Sequence, residues 1–270
     1  MRIKYKEITL LRIYEAIKRR LFALPDVVEW KLSNYSKRNR NLLREYKDIH
    51  KGKRCFIIAN GSSLKNMDLS VLKNEFTISM NRAYLLYDDW GFIPSYYICI
   101  NELVIEQFAN DISRLKMPKF INFNRKDLFP DRIHDDLLMF TRYGFGLNDQ
   151  FQSDITKIMS SGGTVTYASL QLAYYMGFDE VVIIGMDHNF VEKGLPNKTE
   201  VRKTSTDESH CHPDYFPKGI KWQLPDLYRS ELAYSIARKY YELNGRSIID
   251  ATVGGRCDVF EKNEFNSLFS

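Results

Sequence analysis

No apolar run in this 270-residue chain approaches the length that crosses a bilayer, and Arg12, Glu15 and Lys18 interrupt any signal-peptide core. The expectation is a protein neither embedded in a membrane nor secreted by that route. Cysteine is also scarce. Cys55, Cys99, Cys211 and Cys257 form no CxxC pair, and two of them lie inside apolar runs. That pattern argues against a disulfide framework and for reduced thiols in the cytoplasm. There is no GxGxxG fingerprint and no Walker loop, so the two best-known phosphate-binding signatures are missing.

What is present is a repetition. Four short runs, Arg54 to Asn60, Phe76 to Asn81, Tyr96 to Asn101 and Lys119 to Asn124, are apolar nearly throughout and each ends on asparagine. Continuous rather than alternating hydrophobicity describes strands buried on both faces. Helical spacing in Glu102–Leu115, Thr164–Met176 and Pro225–Leu243 alternates with such runs and predicts βαβ units. The expected class is α/β, a Rossmann-like, mostly parallel sheet with helices on both faces. Ligands of such sheets bind beyond the carboxyl ends of the strands, where the asparagines fall. A carboxamide there offers two donors and an acceptor without charge, which suits a base edge, a ribose or a sugar. Asparagine is equally a common turn residue.

Composition is globular, 44% hydrophobic and 27% charged, but the charge is uneven. Residues 1–54 hold sixteen Lys or Arg against six Asp or Glu, a balance of +10, while the remainder holds twenty-three against twenty-eight. Two parts are expected: a basic amphipathic helical arm over 1–53, and a Rossmann-like domain over 54–270 with a lid near 190–224. In the arm, Leu10, Tyr14, Ile17, Leu21 and Leu24 recur at three- and four-residue steps beside Arg12, Lys18, Arg19 and Arg20. Such a helix suits an anionic membrane surface, its own domain or a partner subunit. It lacks the aromatic interleaving of a nucleic-acid platform, so no nucleic-acid partner is expected.

Two loops can meet an anion. Asn60-Gly61-Ser62-Ser63 follows the first strand, and Ser160-Ser161-Gly162-Gly163 precedes the helix beginning near Thr164. A further apolar run, Val181 to Met186, ends on Asp187-His188. The segment after it, Glu192 to Ser209, is too polar to build a core. The stretch that follows, SHCHPDYFPKGIKW, concentrates His210, His212 and Tyr215. Imidazole, with an ordinary pKa of about 6.5, accepts and returns protons near neutrality. A zinc reading of His210, His212, Asp187 and His188 lacks a further His or Cys at matching spacing. Histidines on a solvated loop are the structural alternative.

The succession NGSSL, ISMN, YICIN and SSGG–helix–GFDE–VVIIGMD resembles the bacterial sialyltransferases that use CMP-activated sialic acid. It also resembles a broader family of 6-hydroxymethylpterin diphosphokinases and motility-associated glycosyltransferases. The likeness runs from about Cys55 to Phe260, and Gly245 to Gly255 is closer to polysaccharide-associated members of the broader family. It implies that Asn60, Asn81 and Asn101, with Gly61, Ser62 and Ser63, hold the nucleotide. Ser160, Ser161 and Gly162 would meet the donor sugar or its phosphate, with Asp187, His188 and Tyr215 near the donor. His212, or close behind it His210, would be the base.

The sialyltransferases place tyrosines after the GxD strand to support the leaving phosphate. Here His188-Asn189-Phe190 stands there, so that role falls to His188, Tyr215 or a basic residue. The implied activity is a glycosyltransferase with a CMP-linked acidic sugar donor, no cofactor or metal, and a glycan or lipid-linked glycan acceptor at the inner face of the cell membrane, acting alone or as a homo-oligomer. The alternatives are a Mg-dependent pterin diphosphokinase and a non-catalytic nucleotide-binding module.

Overall fold

The computed structural model describes residues 10–129, 136–139, 141–142, 150–192 and 194–269. In chain order the helices are α1 (Leu10–Leu32), α2 (Asn34–Arg44), α3 (Tyr87–Trp90), α4 (Glu102–Ser113), α5 (Val165–Tyr175) and α6 (Leu227–Leu243). The strands are β1 (Arg54–Ile58), β2 (Phe76–Met80), β3 (Tyr96–Cys99), β4 (Lys119–Asn122), β5 (Asp136–Met139), β6 (Thr141–Arg142), β7 (Met159–Ser160), β8 (Glu180–Ile184), β9 (Thr199–Val201), β10 (Lys221–Gln223), β11 (Ser247–Asp250) and β12 (Glu261–Lys262).

Eight strands form one sheet in the order β12-β11-β8-β1-β2-β3-β4-β5, and every pairing in it is parallel. The expected class holds, with the sheet wholly rather than mostly parallel. From β1 the chain steps outward through β5, then returns to the other side of β1 with β8. That reversal opens a crevice beyond the carboxyl ends of β1 and β8. Both strands are apolar and solvent-inaccessible from Cys55 to Ile58 and from Val181 to Ile184, as burial on both faces requires. Helix α5 packs against β1, β2 and β3 and is buried along nearly its whole length, and α6 packs against α5 and β11. All four cysteines are free and buried, and burial raises their thiol pKa values, to about 12 for Cys99 and Cys211.

The chain divides into two compact units, residues 1–42 and 43–270. The break thus precedes the expected 53/54 boundary. Residues 43–53 join the second unit because Asp48 and His50 donate backbone hydrogen bonds to Tyr175 and Met176, and the His50 ring stacks on Phe178 at 4.6 Å. In the first unit, α1 carries Ile17, Leu21, Leu24, Val28 and Leu32 exposed. Among the described residues no helix is long and apolar enough to cross a membrane.

Candidate functional site

A cavity of about 220 Å³ opens at the crevice between β1 and β8. Its walls carry Asn60, Asn81 and Asn101 from the ends of the first three strands, so the convergence expected from the asparagine repetition is met by three of the four runs. Asn124, at the end of the fourth run, instead donates to Glu102 at 3.0 Å and lies off the cavity. The three differ in what they have left to offer. Asn101 caps α4 by accepting from the amides of Leu103 and Val104, which leaves its NH₂ group. Asn81, in left-handed backbone at φ 50°, receives the Cys99 thiol on its side-chain oxygen, at 3.4 Å, and its side chain also hydrogen-bonds the Tyr215 hydroxyl. Asn60 is 7% exposed and its Oδ1 is buried with no hydrogen-bond partner, an acceptor awaiting a donor.

The loop after β1 does something other than expected. Ser62 Oγ and Ser63 N donate to one oxygen of Asp187 at 3.1 and 3.0 Å, and Ser63 Oγ donates to the other. The two serines therefore spend these donors on a carboxylate at the end of β8 and not on a ligand phosphate. Gly61 permits that closeness, because a Cβ there would strike the Asp187 carboxylate and the Gly185 carbonyl. The second loop is shifted as well. Gly163, Thr164 and the first turn of α5 line the cavity, whereas Ser160, Ser161 and Gly162 do not. Gly162, at φ 57°, lies against Tyr167 and Ala233 instead, where a side chain would clash.

The histidine stretch is tied to the sheet. Gly61 and His210 form an antiparallel bridge, and Cys211 N donates to the Asn60 carbonyl at 2.8 Å. Arg82, buried over the Phe108 ring at 3.8 Å, donates to the carbonyls of Asp214 (2.6 Å) and Tyr215. His210 consequently lines the cavity, stacked on Tyr215 with ring centroids 4.1 Å apart and planes 4° from parallel. Its Nδ1 lies 2.9 and 3.0 Å from the two oxygens of Asp207, whose side chain is wholly buried. A carboxylate can only accept, so Nδ1 carries the proton and Nε2 is left as the basic nitrogen. His212, the sequence's first choice as base, is not on the cavity wall, and its Nδ1 accepts the Asp214 amide at 3.0 Å.

Burial alone would raise the Asp207 pKa. The His210 hydrogen bond and charge, followed by the Arg202 charge and the Ser209 amide, outweigh it and hold the carboxyl below its ordinary range. Arg202 is itself buried. It pairs with Glu192, donates to the Thr206 carbonyl at 3.1 Å and lies 3.7 Å from Asp207. Tyr215 and Tyr234, both on the cavity wall, have hydroxyl pKa values raised by burial, Tyr234 to about 12.

Also on the cavity wall, His188 has positive φ (53°) and pairs through Nε2 with Glu231 Oε1 at 2.9 Å. Asp226 caps α6 and accepts from Asn197, tying the β9–β10 segment to that helix. Asp207, Arg202, Arg82 and Glu231 escaped sequence reasoning. Of these only Asp207 left a signal, its three-residue spacing from His210. Among the described residues no group of three or more His, Cys, Asp or Glu could hold a metal ion.

Residues 31–193 match the family described as 6-hydroxymethylpterin diphosphokinase MptE-like, and the chain belongs to that family. No curated protein matches. Among solved structures, a MAf glycosyltransferase from Magnetospirillum magneticum AMB-1 shares the fold, with a TM-score of 0.50 and 15% identity over 85% of this chain. The match spans 38% of that larger protein.

Proposed function

Taking membership of the MptE-like family as the premise, we propose that this protein is a glycosyltransferase whose donor is a nucleotide-activated sugar, specifically a CMP-linked acidic sugar, and whose product is a cell-surface polysaccharide or glycolipid. The observation that carries this reading is His210. An imidazole fixed at Nδ1 by a buried carboxylate and stacked on Tyr215 lines the same cavity as the strand-end carboxamides Asn60, Asn81 and Asn101, which is the equipment for deprotonating a hydroxyl beside a bound nucleotide. The acceptor oxygen attacks the anomeric carbon as the bond to the donor phosphate breaks, and the acceptor proton passes to His210 Nε2. Asn60 Oδ1 accepts from the exocyclic amine of the base, and positioning supplies much of the rate.

The expected outcome of His210→Ala is turnover lowered by about 10²–10⁴-fold with donor affinity nearly intact, while His212→Ala stays near the parent rate. Near-normal turnover in the His210 variant would remove the base assignment. A thermal-shift panel of CMP, UDP, GDP and ATP, with and without Mg²⁺, tests the donor. CMP should raise the melting temperature without metal.

The second reading, a Mg-dependent pterin diphosphokinase, is favoured by the family's description and by Asp187 and Asp226 on one cavity. Stabilisation by ATP only when Mg²⁺ is present would support it instead. The exposed apolar stripe of α1, flanked by basic residues, supports placing the enzyme peripherally on the anionic inner face of the cell membrane, where a lipid-linked acceptor would lie.

A further inference from the structure

A nucleotide sugar brings at least one phosphate into the cavity, and that phosphate must gain negative charge as the sugar leaves it. Among the described residues that line the cavity there is no lysine and no arginine. The ionisable side chains there, besides the two tyrosines, are Asp187, Asp226, His188 and His210. Both carboxylates are engaged, Asp187 by Ser62 and Ser63, and Asp226 by the α6 amide and Asn197. Only the histidines can be cationic, and they are held in different ways.

His210 gives its Nδ1 to a wholly buried aspartate and keeps Nε2 for the cavity. His188 does the reverse: Nε2 goes to Glu231, whose side chain is 46% exposed, and Nδ1 is left. The His188 side chain is itself only 7% exposed. Its backbone occupies the left-handed region at φ 53°, which is uncommon for a residue other than glycine and costs free energy that the surroundings must supply. Glu231 and Tyr234 stand on one face of α6, and the Tyr234 ring lies 6.4 Å from that of His188. The N-terminus of α5, with its cap Thr164 and first residues Val165 and Thr166, lines the same cavity and brings the positive end of the helix dipole near it.

Resting on the glycosyltransferase reading, we infer that His188, with Glu231 behind it, is the cation that receives the donor's phosphate and stabilises it as the leaving group. The two histidines then divide the reaction. His210 Nε2 takes the acceptor proton. As the sugar–phosphate bond breaks, its electron pair passes to the phosphate oxygen, and His188 Nδ1–H donates a charge-assisted hydrogen bond to that oxygen.

Calorimetry with cytidine and CMP tests this on the full chain, because the ratio of their affinities isolates the phosphate. CMP should bind the parent protein more tightly than cytidine by about ten- to a hundredfold, the size of a hydrogen bond to a charged group. His188→Asn, chosen because asparagine tolerates positive φ, should erase most of that ratio and leave cytidine affinity unchanged. Glu231→Gln should shrink the ratio part-way and serves alone if the first variant does not fold. His210→Asn should leave the ratio intact.

A ratio that survives both His188→Asn and Glu231→Gln overturns the inference while sparing the glycosyltransferase reading. Survival in His188→Asn with loss in Arg229→Gln overturns it in favour of Arg229, which lies beside Gly163. Failure of the parent protein to bind either cytidine or CMP sinks the CMP-donor reading, and this inference with it.

Discussion

Strands β1 and β8 pair through a parallel backbone ladder and carry side chains that are apolar and sealed from solvent from Cys55 to Ile58 and from Val181 to Ile184, whereas residues 190–224, which complete the cavity, are organised around charge. There Arg202 joins Glu192, Asp207 and the Thr206 carbonyl, Ser209 Oγ donates to Glu192 at 2.6 Å, and Asp207 holds His210. The sheet is stabilised by non-directional burial that many residues share. The charged segment depends on a few directional contacts, each involving a group that is costly to leave unpaired when buried. One region supplies a rigid floor. The other carries His210, the proposed base, and its order is expected to be lost before that of the floor.

The largest effect should come from the sheet. Phe120 is inaccessible to solvent and meets Tyr46 edge-on at 5.3 Å. Phe120→Ala is expected to cost about 3–5 kcal/mol of global stability, read from denaturant unfolding. Arg202→Met tests the other side. Loss of its charged hydrogen bonds should cost about 1.5–3 kcal/mol, confined to the segment. Hydrogen exchange should quicken across 199–223 while β1 and β8 stay protected, and quickening spread equally over the sheet would erase the distinction.

The smallest effect is acid sensitivity. Glu192 and Asp207 both have folded-state pKa values below the ordinary 4.5 and 3.8. For Glu192 the burial penalty is outweighed by hydrogen bonds from Ser209 and Arg202; for Asp207 it is outweighed by His210 and Arg202. A depressed carboxyl pKa contributes stability that is complete above the unfolded value and lost as pH falls through the folded one. The segment should therefore loosen as pH falls below about 4.5, and further below 3.8, before the sheet responds. Exchange rates corrected for intrinsic chemistry and compared at pH 7, 5 and 3.5 would show it, and equal protection of 199–223 at all three would refute it.

Much of the floor was legible. The runs ending on Asn60, Asn81 and Asn101 became β1, β2 and β3 with their asparagines just past the strand ends, and the predicted helix at Thr164–Met176 became α5. Apolar continuity and helical period are local properties, so one chain suffices to show them. The site was legible only in part. The asparagines and the importance of the histidine stretch were visible. The placement of His210 rather than His212 on the cavity wall, the clasp of Ser62 and Ser63 on Asp187, and the cavity-lining position of Gly163–Thr164 in place of Ser160–Gly162 were not.

By itself, then, the sequence determined the parallel sheet, the place of the crevice and the residue types around it, because burial pattern and strand-end chemistry are written in neighbouring positions. Tertiary structure alone decided which groups work together. Ser63 meets Asp187 across 124 positions, and Arg82 meets Asp214 across 132. His188 meets Glu231 across 43. Hydrogen bonds of about 3 Å between such distant residues depend on how β1, β8 and α6 are placed in space, which no periodicity along the chain encodes.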